Sequence, residues 1–264
     1  MQTQLVLRKL RLVALLLVTG TYCKAQSYTK VTTAIADSYV NSNTADSGRY
    51  TNYGTSTQLR FRYSQTGSTS VYNLVTYLKF DINDLALPAN AVVDSVSLGA
   101  SVYFSQSGTG HVWHLLRVAD TTWSETGINW NNKPAFGPDT LSAVTKPTGT
   151  ISEATPYRAK WNGLAGAFNT ARSAGTKFSL ALYTRLNTAA NTSAYSREWS
   201  VDSLRPKLTV HYHLGSAPAL PEVESRKHNL NLIYFLPTDV DTVANYRQRL
   251  NGIMLAAQNF IANG

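Results

Sequence analysis

The sequence predicts an all-β fold, an antiparallel β-sandwich or jelly roll, followed by a short C-terminal strand-helix segment. Three observations predict it. Ser, Thr, Asn, Gly and Tyr are plentiful while charged residues make up only 15%, a composition that suits short strands joined by many turns. Between Ser27 and Leu214, short runs alternate apolar and polar residues with a period of two, the mark of half-buried antiparallel strands. After Gly215 the alternation stops and a Pro-, Ala- and charge-rich stretch begins.

The first residues read as a processing signal. Arg8, Lys9 and Arg11 form a basic start, and Leu12 to Val18 an apolar run too short to span a bilayer. Cleavage after Ala25 defines residues 1–25 as a signal peptide and starts the mature chain at Gln26. A lipoprotein would need Cys23 as its first mature residue, and the bulky Tyr22 before it disfavours that. The leader holds Arg8, Lys9, Arg11 and Lys24 and no acid, so 24 basic residues fall to 20 against 15 acidic, net +5. Its removal also takes the one cysteine, which excludes disulfides and thiol catalysis. The expected location is secreted or cell-surface, with no membrane segment in the mature chain. The mild positive charge favours acidic partners at long range.

The sandwich is expected over residues 26–214. Its strands are "TAIADSYV", "QLRFRYS", "NLVTYLKFDI", "DSVSLGASVYFS", "HVWHLLRVA", "YRAKWNGL", "KFSLALYTR" and "KLTVHYHL". In "NLVTYLKFDI", Leu74, Leu78, Phe80 and Ile82 share one face, and Val75, Tyr77, Lys79 and Asp81 the other. In "KFSLALYTR", Phe178, Leu180 and Leu182 oppose Ala181, Tyr183 and Arg185. Roughly eight such strands make a sandwich or jelly roll. "GLAGAFNTARSAG" is the one helix-like insert, stopped at Gly175.

Residues 215–228 read as a linker. In 229–264, "NLNLIYFLP" is a buried-type strand. Asp239 or Asp241 can cap a helix in which Val243, Tyr246, Leu250, Ile253, Met254, Ala257 and Phe260 recur at helical spacing. One strand and one helix cannot bury both apolar faces alone. Either they dock on the sandwich, or they begin an α/β domain that continues in a longer product.

The stretch "DTTWSETGINWNNKPAFG" (Asp120 to Gly137) places Trp123 and Trp130 in a turn-rich segment after a strand. Indoles bury large areas and need one partner for each N–H, so pinning a loop against the sandwich suits them better than stacking on sugar. "WSETGINWNNKP" resembles the signature of the DNRLRE domain, a β-sandwich similar to the carbohydrate-binding modules of secreted bacterial polysaccharide-degrading proteins. "ADSYV", "TNYGTSTQLRFRY", "YLKFDI" and "YSREWSVDSLRPKLTVHY" resemble its other segments, in order, over about Thr32 to Tyr212. The resemblance implies a sandwich that binds glycan. It assigns Trp123, Trp130, Asn52-Tyr53-Gly54 and Arg205-Pro206 to architecture and names no ligand contact.

Exposure arguments supply the candidate contacts. Arg60 and Arg62 lie opposite Leu59 and Phe61, and Lys79 with Tyr77 and Arg185 with Tyr183 repeat the pattern. Placed in one sheet, they make an aromatic-basic surface in which guanidinium forks grip carboxylates or sulfates and tyrosines stack on sugar rings; the alternative is a plain solvated face. For metal, Asp37 near the start can meet Glu198 or Asp202 near the end and hold a structural calcium, as sandwich modules of this kind often do. His211 and His213 share a strand face but lack a third ligand by spacing.

Catalysis and nucleic acid find no support. There is no Gly-x-Ser-x-Gly elbow, no His-Glu-x-x-His, no phosphate loop and no nucleic-acid motif. Asp120 and Glu125 flank Trp123, a pair that needs a cleft to matter. The reading is a secreted, non-catalytic carbohydrate-binding module for acidic polysaccharide, targeting a larger protein to glycan, with an additional domain in cis. The rivals are the N-terminal part of an enzyme whose α/β domain begins near residue 229, and an adhesive surface protein.

Overall fold

The structure is a computed structural model that describes residues 26–44, 47–66, 69–70, 72–106, 110–187 and 190–215, with Gln248 and residues 251–256. The chain divides into two compact units, Met1–Pro218 and Ala219–Gly264. In the second, the described residues are helical; the expected linker and the strand after it lie outside the described residues, as does the leader.

The first unit is an antiparallel β-sandwich. Its strands are β1 (Ser27–Thr33), β2 (Ala36–Asn41), β3 (Gln58–Phe61), β4 (Gln65–Thr66), β5 (Thr69–Ser70), β6 (Leu74–Phe80), β7 (Ala91–Ser105), β8 (Val112–Val118), β9 (Phe136–Thr145) and β10 (Tyr157–Trp161). Helix α1 (Ala165–Ser173) follows, then β11 (Phe178–Tyr183), β12 (Thr192–Tyr195) and β13 (Lys207–Leu214). One sheet runs β1-β13-β7-β12-β3, with β10 also paired to β7; the other runs β2-β6-β11-β8-β9. We call them the β7 sheet and the β6 sheet. First and last strands are partners, Ser27 opposite His213 and Thr33 opposite Lys207.

Alternation explains the packing. Between the sheets lie Leu59, Phe61, Leu78, Phe80, Leu98, Val102, Trp113, Trp161, Phe178, Leu180 and Val210, all buried. Trp161 donates its indole N–H to the Trp113 carbonyl at 2.9 Å, so the ring carries no unpaired donor into the core. Helix α1 closes the core with Phe168, which meets Phe178 edge to face. It stops where Gly175 takes φ 63°, a left-handed turn that glycine adopts without a Cβ clash.

The β6 sheet has a second core on its other side. Ala36, Val40, Val75, Tyr77, Leu116, Val118 and Ala181 pack there against Trp123 and Ile128. Every residue of β6 is therefore buried, whereas the alternation predicts one solvated face. The cover is the long connection between β8 and β9.

Five strands lie outside the predicted runs: the two-residue strands β4 and β5, which pair with each other, and three others that each have a reason. β1 is an edge strand with mostly exposed residues. β9 is also an edge and carries Pro138, whose missing N–H is tolerated there. β12 is three small or polar residues and Tyr195, made a strand by pairing to both β7 and β3.

Candidate functional site

The Trp123 loop is built onto the β6 sheet by specific contacts. Trp123 donates its indole N–H to Ser179 Oγ on β11 at 2.9 Å and meets Tyr77 edge to face. Lys79 lies 4.5 Å from the Trp123 ring centre and donates its ammonium to the Thr121 and Trp123 carbonyls. Tyr77 donates its hydroxyl to the Pro134 carbonyl at 2.8 Å. Burial raises the Tyr77 phenol and lowers the Lys79 ammonium from their usual ranges, the latter aided by Lys177. Past Trp130 the turn is tied by its own asparagines: Asn129 N–H donates to Asn132 Oδ1 at 2.7 Å.

Glu125, in the same loop, reaches the edge of the sandwich. Its Oε1 accepts the Asp37 N–H at 2.8 Å and its Oε2 pairs with the Arg197 guanidinium at 2.7 Å. Asp37 Oδ2 accepts the Arg197 N–H at 2.8 Å. Glu198 completes the group, with Oε1 3.7 Å from the same guanidinium. One oxygen each of Asp37, Glu125 and Glu198 lies within 4.8 Å of the others. Burial pushes the Asp37 carboxyl well above the usual carboxylate range, and the Glu198 charge adds to it. Sequence segments far apart thus meet at one point: Asp37 from "ADSYV", Glu125 from the tryptophan stretch, and Arg197-Glu198 from "YSREW".

The free face of the β7 sheet has a different chemistry. Gly99 on β7 has Lys160 of β10 as cross-strand partner on one side and Lys207 of β13 on the other. Arg158 lies one rung along, opposite Ser101, and donates to Ser101 Oγ at 2.9 Å. Together Ser97, Gly99, Arg158, Lys160, Lys207 and Thr209 line a shallow groove of about 220 Å³. Gly99 has no side chain of its own, and the Arg158 guanidinium lies across it, 3.4 to 3.8 Å from where a Cβ would stand. Lys207 also pairs with Asp202, whereas Lys160 has no ion-pair partner among the described residues. Beside the groove on the same face, Tyr103, Tyr195 and Trp199 stack in series with ring centres 4.5 Å apart. The groove is open, and three cations, Arg158, Lys160 and Lys207, converge on it.

The sequence profile of carbohydrate-binding module family 96 matches residues 28–212, well over half of the chain. The chain belongs to that family. A search of curated proteins found no match. The family 96 module spans β1 to β13, so membership covers the whole sandwich. Carbohydrate-binding module families are generally non-catalytic.

The aromatic-basic surface expected from the sequence does not assemble in this family 96 module. Arg60 belongs to β3 in the β7 sheet, and Arg62 just follows that strand; Tyr77, Lys79 and Tyr183 belong to the β6 sheet. Tyr77 and Lys79 are buried under the Trp123 loop, which corrects their expected exposure. Tyr183 is half-buried between Phe136 and Tyr63. Arg185 is exposed past the end of β11 and donates to the Pro138 carbonyl. Arg62 lies over the Tyr72 ring at 4.2 Å, and Arg60 over Tyr39 at 5.9 Å. Arg60 alone of the six is on the same sheet face as the groove, with Ser193 as its cross-strand partner.

Of the three expected metal ligands, Asp37 and Glu198 meet, and Asp202 does not join them. Asp202 is 64% exposed and pairs with Lys207 and Arg205 instead. Glu125 takes the third place. His211 and His213 are separated by a bulge; His211 bonds Thr29 and His213 bonds Asp94. Alternation in "YRAKW" already sets Arg158 and Lys160 opposite Tyr157, Ala159 and Trp161, so half of the groove could have been read from the sequence. Its juxtaposition with Lys207 depends on strand order.

Proposed function

We propose that this chain is a secreted or cell-surface, non-catalytic module that binds acidic polysaccharide and targets a larger protein to it. Family membership supports carbohydrate as the ligand class, and the resemblance of its motifs to DNRLRE domains agrees. The observation that carries the acidic preference is the row Lys160-Gly99-Lys207 with Arg158 beside it. Two lysines on either side of one strand stand about 10 Å apart, and a carboxylate or sulfate held between them, against the Arg158 guanidinium that covers Gly99, relieves their mutual repulsion. Thr209, half-buried at the groove wall, offers a hydroxyl to sugar. Arg60 can extend the site along the same face. Binding alone is the mechanism: holding substrate near a companion domain raises its effective concentration.

The test is a binding screen against alginate, pectin, chondroitin sulfate and neutral glucans at two salt concentrations. Expected is binding to the acidic chains only, weakened by salt, and weakened about 10-fold or more in Lys160→Ala/Lys207→Ala. No binding to any acidic chain sinks the reading. Binding that survives in this variant but is lost in Arg60→Ala/Arg62→Ala moves the site to the edge around Tyr39 and Tyr72.

A further inference from the structure

The sandwich edge holds more negative charge than the residues around it neutralise. We propose that Asp37, Glu125 and Glu198 form a calcium site that ties β2 to the Trp123 loop and to the segment after β12. The three carboxylates converge within 4.8 Å, inside the roughly 5 Å that two oxygens on opposite sides of a calcium ion span. Asp37 is only 1% exposed, and its Oδ1 has no hydrogen-bond partner among the described residues; neither does the buried Glu198 Oε2. Buried carboxylate oxygens without donors are strongly disfavoured unless a cation or proton meets them.

The protein's own cations do not suffice. Among the described residues Arg197 is the guanidinium ion-paired to the group, and it reaches Glu125 closely and Glu198 only at 3.7 Å. Lys79 is engaged by the Thr121 and Trp123 carbonyls. Three carboxylates stand against the Arg197 guanidinium in contact and the Lys79 ammonium further off, which acts on Glu125, so negative charge remains at the cluster for a divalent ion to offset. The donors are all carboxylate oxygens, with no His or Cys among them, a hard set suited to calcium rather than to zinc or copper.

The ligands are also held in place before any ion arrives. Asp37 is on a strand paired along its whole length with β6. Glu125 is anchored through the Asn52 amide on its carbonyl, and Glu198 donates its N–H to Ser196 Oγ at 3.1 Å. The rival occupant is a proton shared by Asp37 and Glu198.

Thermal unfolding of the chelator-treated protein distinguishes the two, read with added calcium chloride and, separately, magnesium chloride. Millimolar calcium is expected to raise Tm by about 5–10 °C, with magnesium giving less than half of that shift. Asp37→Asn and Glu198→Gln should each lose the calcium response. Asp37→Asn should also melt above the calcium-free parent, because a repelling charge has gone; a merely structural role for Asp37 predicts the opposite. A calorimetric titration of the unaltered protein decides the matter even where a variant does not fold. No heat of calcium binding, together with the same Tm with and without calcium, overturns the site and leaves the shared proton. So does a calcium shift that persists in both variants, and magnesium matching calcium overturns the ion assignment.

Discussion

The side-chain amide of Asn52 donates to two carbonyls in the Trp123 loop, Glu125 at 2.6 Å and Ile128 at 2.7 Å. Two residues on, Gly54 presses against the same place: a Cβ there would come within 2.2 Å of the Glu125 carbonyl oxygen. The turn and the loop are thus one joint. Gly54→Ala should force the backbones apart and destabilise by about 1–3 kcal/mol. Asn52→Ala should cost about 1–3 kcal/mol by leaving two carbonyls short of a donor. Thermal unfolding of the double variant should show less than the sum, because both changes break one contact.

Trp123 should behave as a core residue. Trp123→Ala removes the centre of the outer core and is expected to cost about 3–5 kcal/mol. Trp123→Phe keeps much of the packing but leaves Ser179 without the indole N–H, for a smaller loss of about 1–2 kcal/mol. Denaturant titration followed by circular dichroism measures both, and a loss in Trp123→Ala under 1 kcal/mol would show the ring to be dispensable to folding.

Tyr77 and Lys79 should matter for stability and not for glycan. Lys79→Met leaves the Thr121 and Trp123 carbonyls without the ammonium and should destabilise by about 1–3 kcal/mol. Affinity for acidic polysaccharide, measured on folded protein below its Tm, should stay within about twofold of the parent, well under the 1.4 kcal/mol of a tenfold change. A larger loss of affinity would return Lys79 to the binding surface.

His111 supplies a pH dependence. It is buried, its Nε2 lies 2.8 Å from Thr184 Oγ1, and burial lowers its pKa, with Lys146 and His114 adding to the effect. The unfolded chain therefore binds more protons than the folded one between that lowered value and about 6.5. The stability it contributes is complete above about pH 6.5 and is lost as pH falls below it. His111→Gln should flatten the slope of Tm against pH between 7 and 5; an unchanged slope would place the dependence elsewhere.

Alternation exposed most of the fold because it reports which side chains face the core: β6, β7, β8, β11 and β13 all lie where period two puts them. It misled on β6, where Tyr77 and Lys79 look solvated until a loop from elsewhere covers them. Nothing local to "NLVTYLKFDI" encodes that cover; the cue was in Trp123 and Ile128, too apolar for a free loop. Glu125 was visible as an acid beside Trp123, but its meeting with Asp37 and Glu198 depends on three segments closing at one edge. The pairing of Lys160 with Lys207 across Gly99 likewise needs strand order, which side-chain pattern does not carry.

The pairing of β1 with β13 bears on how the sandwich responds to pulling. Ser27 enters opposite His213 and the two strands run antiparallel, so the chain arrives and departs at the same corner. Tension along the polypeptide then opens the β1–β13 ladder one rung at a time, starting from Ser27, instead of shearing all its hydrogen bonds together. A load on the chain would peel an edge strand long before it reached the core, making this corner the compliant part of the sandwich.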